Sequence, residues 1–167
     1  MTDLCVGGVD LSEYIWNDTN VHDVTLITID RAIVALGRDV RLTFGGPGDT
    51  SGIAWHFIVN CDGSRTDHST EEFVAGEDER WEIALSYRGP FITALSWSDL
   101  NQRANQVTSP ALVFIVKKLA EDLRLTYLDA HKLMALEIPW DELQGNAVDR
   151  LDYSELPNAF NLLFYEY

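Results

Sequence analysis

The chain has 167 residues, 46% of them hydrophobic, and a formal net charge of −15. This length is typical of one domain with its own apolar core, and the hydrophobic content excludes a disordered acidic tail. The negative charge disfavours nucleic acids and anionic membrane surfaces as direct partners, and it favours basic proteins.

The cysteines and the first residues indicate the compartment. Cys5 and Cys61 lie far apart in a chain that is large enough to fold without disulfides, which favours reduced thiols. The N-terminal stretch carries acids and no basic residue, unlike a secretory signal. No apolar run is long enough to span a bilayer. We therefore expect a cytoplasmic protein that makes no contact with a membrane.

Strand patterns fill the first part of the chain. Val24–Ile29 is rich in β-branched residues, and Ala32–Leu36 with Val40–Phe44 resembles a hairpin. The glycine-rich stretch 45–52 predicts a loop, and 53–59 predicts another strand. The loop contains no Lys and precedes a strand, whereas a phosphate-binding loop carries Lys and opens a helix. Nucleotide binding is therefore disfavoured.

The stretch 81–97 predicts a β-hairpin. Apolar residues alternate with small or polar ones on either side of Arg88-Gly89-Pro90, which we interpret as the turn. A face carrying four aromatic side chains is too apolar for water, so we expect it to lie in the core; these are Trp81, Tyr87, Phe91 and Trp97. Sequential strands without intervening helices indicate an antiparallel meander.

Helical patterns follow the hairpin. Ser109-Pro110 is typical of a helix start, and an apolar stripe from Leu112 to Leu123 predicts a helix over about 110–124 that covers the hairpin. Thr126 as a cap predicts a second helix over about 127–136, ended by Pro139.

The C-terminal segment 158–167 is apolar and aromatic, and we expect it to dock on the sheet as a last strand. Together these patterns predict a single α+β domain over residues 1–167. Its antiparallel sheet of five to seven strands lies mainly in 24–97, and the two C-terminal helices pack on one face of that sheet.

Motifs for chemistry are missing. The four histidines show no metal-ligand spacing, and the sequence has no nucleophile elbow of the form GxSxG. We therefore predict no enzyme, no cofactor and no metal ion. If an active site is assembled from scattered residues, His56 beside the loop 45–52 is the first candidate, although its place opposite the apolar strand face predicts a solvent-exposed side chain.

The acids are unevenly distributed. They are concentrated in 1–30, 67–82 and 129–155, and the run 67–82 contains Arg80 as its single basic residue. A solvated face is the ordinary interpretation of such a run; a docking surface for a basic protein is the functional one. The predicted docking residues are Asp67, Glu71, Glu72, Glu77, Asp78, Glu79 and Glu82.

Three functions remain open at this point. The first is a cytoplasmic binding protein that neutralises a basic partner, most concretely a bacterial immunity or inhibitor protein against a cationic toxin such as a nuclease. The second is an enzyme or small-molecule binder with a pocket near 45–52 and His56. The third is a subunit of a homo-oligomer that associates through its apolar C-terminus.

Overall fold

The computed structural model describes residues 3–16, 40–44, 54–60, 80–98, 103–104, 106–143 and 157–164. They form a mixed α+β fold with an antiparallel sheet, as the sequence predicts. The strands are β1 Cys5–Val6, β2 Val9–Asp10, β3 Val40–Phe44, β4 Ala54–Asn60, β5 Arg80–Ser86, β6 Phe91–Ser98, β7 Arg103–Ala104 and β8 Thr126–Tyr127. The helices are α1 Ser12–Trp16, α2 Pro110–Leu123, α3 Ala130–Met134, a 3₁₀ turn at Trp140–Glu142 and α4 Ala159–Phe164.

The main sheet has the order β3-β4-β5-β6-β7, with every neighbouring pair antiparallel. Strand β8 adds to β6 in parallel, pairing Phe91 with Thr126 and Ile92 with Tyr127. A separate two-stranded hairpin joins β1 to β2 through Gly7 and Gly8, whose φ angles of 61° and 83° suit glycine. None of the helices in the described ranges is long and apolar enough to cross a membrane.

The hairpin between β5 and β6 forms, but its register differs from the prediction. The connection has four residues, 87–90, so Trp81 pairs with Ser96 and Leu85 pairs with Ile92. A three-residue turn would have placed Trp81 opposite Trp97. Because one residue of register moves a whole strand to the other face, Trp81 and Tyr87 pack on one side and Phe91 and Trp97 on the other. The predicted single aromatic face is therefore wrong.

Helix α2 covers the first face. Its buried positions Leu112, Val116 and Leu119 follow helical spacing and pack against the side of the hairpin that carries Ile83 and Ile92. Ser109 is the N-cap residue, and Arg124 ends the helix in the left-handed conformation. The helix therefore spans Pro110–Leu123 and covers this side of the hairpin.

The second face is covered by elements from both ends of the chain. Ala84, Phe91 and Leu95 contact a cluster drawn from the N-terminal segment, α3, the 3₁₀ region and α4. That cluster contains Leu4, Leu11, Ile15, Leu133, Ile138, Leu143, Phe160 and Phe164. The helices therefore lie on both faces of the sheet, and the predicted packing on one face is wrong.

Two predicted elements begin or fold differently. Thr126 and Tyr127 pair with β6 instead of starting a helix, and Asp129 caps α3 by accepting a hydrogen bond from the Lys132 backbone N–H at 3.1 Å. The C-terminal segment forms helix α4 rather than a strand, and it contacts β4 and β5. The predicted strands 24–29 and 32–36 and the loop 45–52 lie outside the described residues.

Candidate functional site

The predicted docking residues fall into two groups. Asp67, Glu71, Glu72, Glu77, Asp78 and Glu79 lie outside the described residues. Glu82 lies on β5 with only 6% of its surface exposed, on the face covered by α4. Its carboxylate therefore belongs to the interior of the protein, and we remove Glu82 from the proposed docking surface.

Glu82 is held between two neighbouring strands. Its Oε1 lies 2.8 Å from Nδ1 of His56, and its Oε2 accepts a hydrogen bond from the indole N–H of Trp97 at 2.7 Å. His56 pairs with Ala84 across β4 and β5, and Trp97 pairs with Arg80 across β5 and β6. Both partners are thus diagonal cross-strand neighbours of Glu82 on the same face, within reach of long side chains.

His56 also reaches the C-terminal helix. Its Nε2 donates to the carbonyl oxygen of Phe164 at 2.8 Å, and the hydroxyl of Ser86 donates to the carbonyl oxygen of Leu163 at 2.6 Å. The last four carbonyl groups of a helix have no partner within the helix. Two side chains of the sheet therefore bind the end of α4, and this polar contact explains how a short helix stays docked.

The hydrogen-bonding pattern fixes one proton of His56. A carbonyl oxygen can only accept, so Nε2 carries a proton. Nδ1 and Oε1 of Glu82 share a hydrogen bond at a buried position, where His56 is 2% exposed. The expected solvent-facing position of His56 is wrong.

A histidine–carboxylate pair also occurs in active sites, but here it has a structural role. Both ring nitrogens of His56 form hydrogen bonds within the protein, and the side chain is buried. A general base needs access to a substrate proton within hydrogen-bonding distance. His56 offers no such access in this structure, so we assign it to fold stability.

No cluster of three or more metal-ligating side chains occurs within the part of the chain that the structure describes. Asp62, Asp67 and His68, which lie near one another in the sequence, fall outside that part. Their spacing in the sequence matches no calcium-loop or zinc pattern, so it does not indicate a metal site.

A second polar site lies beside the C-terminal half of α2, and the sequence patterns do not predict it. A cleft of about 430 Å³ opens beside α2, β8 and α3. The Lys117 ammonium sits over the ring of Tyr127, 5.5 Å from its centroid, and Lys132 lines the same cleft. Burial, with a smaller contribution from the Asp129 charge, raises the pKa of Tyr127 to about 12.

The amino-acid composition held the one signal that could have revealed this cleft. The chain contains three lysines, Lys117, Lys118 and Lys132, and two of them line one cavity. Their spacing in sequence crosses a helix end, a strand and a cap, so no single periodicity joins them. Only the parallel pairing of β8 with β6 brings the two helices around the cleft.

Comparison with protein-family models, with curated proteins and with solved structures found no match. Two properties of this chain therefore bear on its function: the distribution of charge along the sequence and the geometry of the described side chains.

Proposed function

We propose that this protein is a cytoplasmic, non-enzymatic binding protein that neutralises a basic protein partner. Its most concrete form is a bacterial immunity or inhibitor protein against a cationic toxin such as a nuclease. The observation that carries the proposal is the net charge of −15, which is concentrated in runs of acids. A field of one sign speeds the capture of an oppositely charged partner and selects against wrong ones.

The position of the acid run 67–79 in the sequence supports its proposed role as a docking surface. It leads directly into β5, a strand that pairs with β4 and β6 over most of its length. Both faces of β5 are covered by packed side chains, so the strand is a rigid base for the run. The proposed docking residues are Asp67, Glu71, Glu72, Glu77, Asp78 and Glu79.

The described geometry weakens the two alternatives. A catalytic or ligand-binding role for His56 conflicts with the bonding of both its ring nitrogens inside the protein. Association through the C-terminus needs exposed apolar side chains, whereas Phe160, Leu163 and Phe164 are buried within the chain. The binding proposal requires neither feature.

The test is neutralisation of a panel of cationic nuclease toxin domains by the full-length chain, in cells and as purified proteins. One variant reverses Glu71, Glu72, Glu77 and Asp78 to Lys. A matched control reverses four acids that the structure shows to be exposed elsewhere, namely Asp3, Glu13, Glu137 and Asp141. Both variants change the net charge equally.

We expect the wild type and the control to neutralise one toxin, whereas the 71–78 variant loses association rate by about tenfold or more at low salt. Added salt should reduce the difference because it screens exposed charges. Thermal unfolding should change little in either variant. Equal loss in both variants, or neutralisation that is insensitive to all eight reversals, would contradict the proposed surface.

A further inference from the structure

The cleft beside α2 combines an apolar floor with basic side chains. Val6, Ala120 and Leu128 are buried and line its inner wall, and the exposed residues Lys117 and Lys132 lie at its rim. The ring of Tyr127 forms another part of the lining. Its volume of about 430 Å³ falls in the range in which proteins hold small organic ligands.

The two lysines are available to a ligand. Among the described residues, neither ammonium group forms a salt bridge, although the chain is rich in acids. Lys117 is held over the Tyr127 ring, an arrangement that orients the ammonium without neutralising it. A cation so placed retains its capacity to pair with an anion that enters the cleft.

The remaining polar groups limit the charge of that anion. Glu121 and Asp129 also line the cleft, and Asp129 already accepts the backbone N–H of Lys132. The two lysines and the two carboxylates cancel in formal charge, so a ligand with one negative charge meets less repulsion from the carboxylates than a dianion such as a phosphate monoester does. The Tyr127 hydroxyl adds no charge at neutral pH, because its pKa is raised to about 12.

We infer that this cleft binds a small monocarboxylate whose apolar body rests on Val6, Ala120 and Leu128 and whose carboxylate pairs with Lys117 and Lys132. The residues that carry this inference do not belong to the acid run 67–79, so its test does not depend on the proposed function. The carboxylate can belong to a free acid or to the C-terminus of a peptide, since both present the same group on an apolar body.

The experiment is a titration of the isotope-labelled, full-length protein, followed by the backbone amide signals of Ala120, Leu128 and Lys132. The probes are 3-phenylpropionate, its neutral amide as an isostere, and N-acetyl-leucine as a model of a peptide C-terminus. Lys117→Met and Lys132→Met each remove one rim charge. Lys118→Met is the matched control, because it removes an exposed lysine of the same helix that does not line the cleft.

We expect saturable shifts with at least one carboxylate, and affinity that falls about tenfold or more for the amide and for each rim variant. Lys118→Met should bind like the wild type. The stronger of the two carboxylates identifies the source of the ligand. Equal binding of acid and amide, equal losses in Lys118→Met and Lys117→Met, or no saturable shift up to about 10 mM, where ligands of this size bind, would overturn the inference.

Discussion

Nδ1 of His56 lies 2.8 Å from Oε1 of Glu82, and both side chains are buried. The two residues are 26 positions apart, and the antiparallel pairing of β4 with β5 brings them together. The other ring nitrogen of His56, Nε2, donates a hydrogen bond to the carbonyl oxygen of Phe164, 108 positions away. One imidazole thus joins three distant parts of the chain.

Removing either member of this pair should destabilise the fold strongly. His56→Leu or Glu82→Met leaves the other side chain buried without this hydrogen bond, and we expect each to lower the free energy of unfolding by about 1–3 kcal/mol. The double variant should lose less than the sum, because both changes remove the same contact. Urea denaturation of the four proteins measures the coupling.

The control for this cycle is Glu121→Met, which removes an exposed carboxylate from α2. We expect a change within about 0.5 kcal/mol, as is usual for surface positions. Losses that add up in the double variant would show that the two side chains act independently, and this would contradict a stabilising contact between them.

The protons of His56 can be observed directly. Because Nε2 faces a carbonyl oxygen, which can only accept, we expect this nitrogen to carry hydrogen. Nitrogen-15 NMR of histidine-labelled protein shows which ring nitrogen carries hydrogen. An Nε2 without hydrogen in the folded protein would contradict its contact with the carbonyl oxygen of Phe164.

The sequence predicts the elements of this fold better than their faces. The stripe Leu112, Val116 and Leu119 identifies α2 and its cover of the sheet, because helical periodicity is local. The length of the turn after Ser86 decides which face each aromatic residue occupies. The sequence pattern does not distinguish a three-residue turn from a four-residue turn, because Tyr87 fits both a strand and a turn.

The polar interior was predictable only in part. Glu82 sits in an acid run and looks like a surface residue, yet its alternation with Trp81 and Ile83 already placed it on the second face of a strand. Whether that face is exposed to water depends on α4, which the sequence predicts as a strand. Local pattern cannot determine which distant segment covers a sheet, so the sequence predicts exposed positions for His56 and Glu82.

Gly89 should be intolerant of any side chain, for a reason of space. A Cβ at this position would approach Cδ1 of Tyr14 to 2.7 Å and would also meet the ring of Phe91. These two rings pack edge to face, with centroids 4.7 Å apart. Gly89→Ala would force the rings apart, and we expect it to lower the free energy of unfolding by about 1–3 kcal/mol.

A second glycine separates this effect from backbone strain. Gly8→Ala meets no atom within 4 Å but retains a φ of 83°, so its cost of about 1–2 kcal/mol comes from the backbone alone. In a Tyr14→Ala background the cost of Gly89→Ala should fall, whereas that of Gly8→Ala should stay the same. Urea denaturation of the wild type and the five variants checks this, and an unchanged cost at Gly89 would contradict the steric explanation.

Tyr127 provides the last prediction, because its hydroxyl is buried and has no hydrogen-bond partner among the described residues. An unsatisfied buried polar group costs about 1–3 kcal/mol, so Tyr127→Phe should leave stability at pH 7 unchanged or raise it by about 1 kcal/mol. The pKa of Tyr127 is raised from 10.0 to about 12 by burial first and by the Asp129 charge second.

The sign of the pH dependence follows from that shift. Between pH 10 and pH 12 the unfolded chain has released the phenolic proton and the folded chain has kept it. The free energy of unfolding is therefore unaffected by this titration below pH 10, and it falls as the pH rises from 10 toward 12. Tyr127→Phe should show a smaller loss of stability across this window than the wild type does.

Asp129→Asn tests the order of the two causes, because asparagine can still cap α3 while the charge disappears. We expect the phenolic titration of Tyr127, followed by ultraviolet absorbance, to move only part of the way back toward pH 10, since burial is the larger cause. A full return to 10 would show that the Asp129 charge dominates. An identical alkaline slope for the wild type and Tyr127→Phe would show that the hydroxyl is exposed to water in the folded protein, and would contradict its burial.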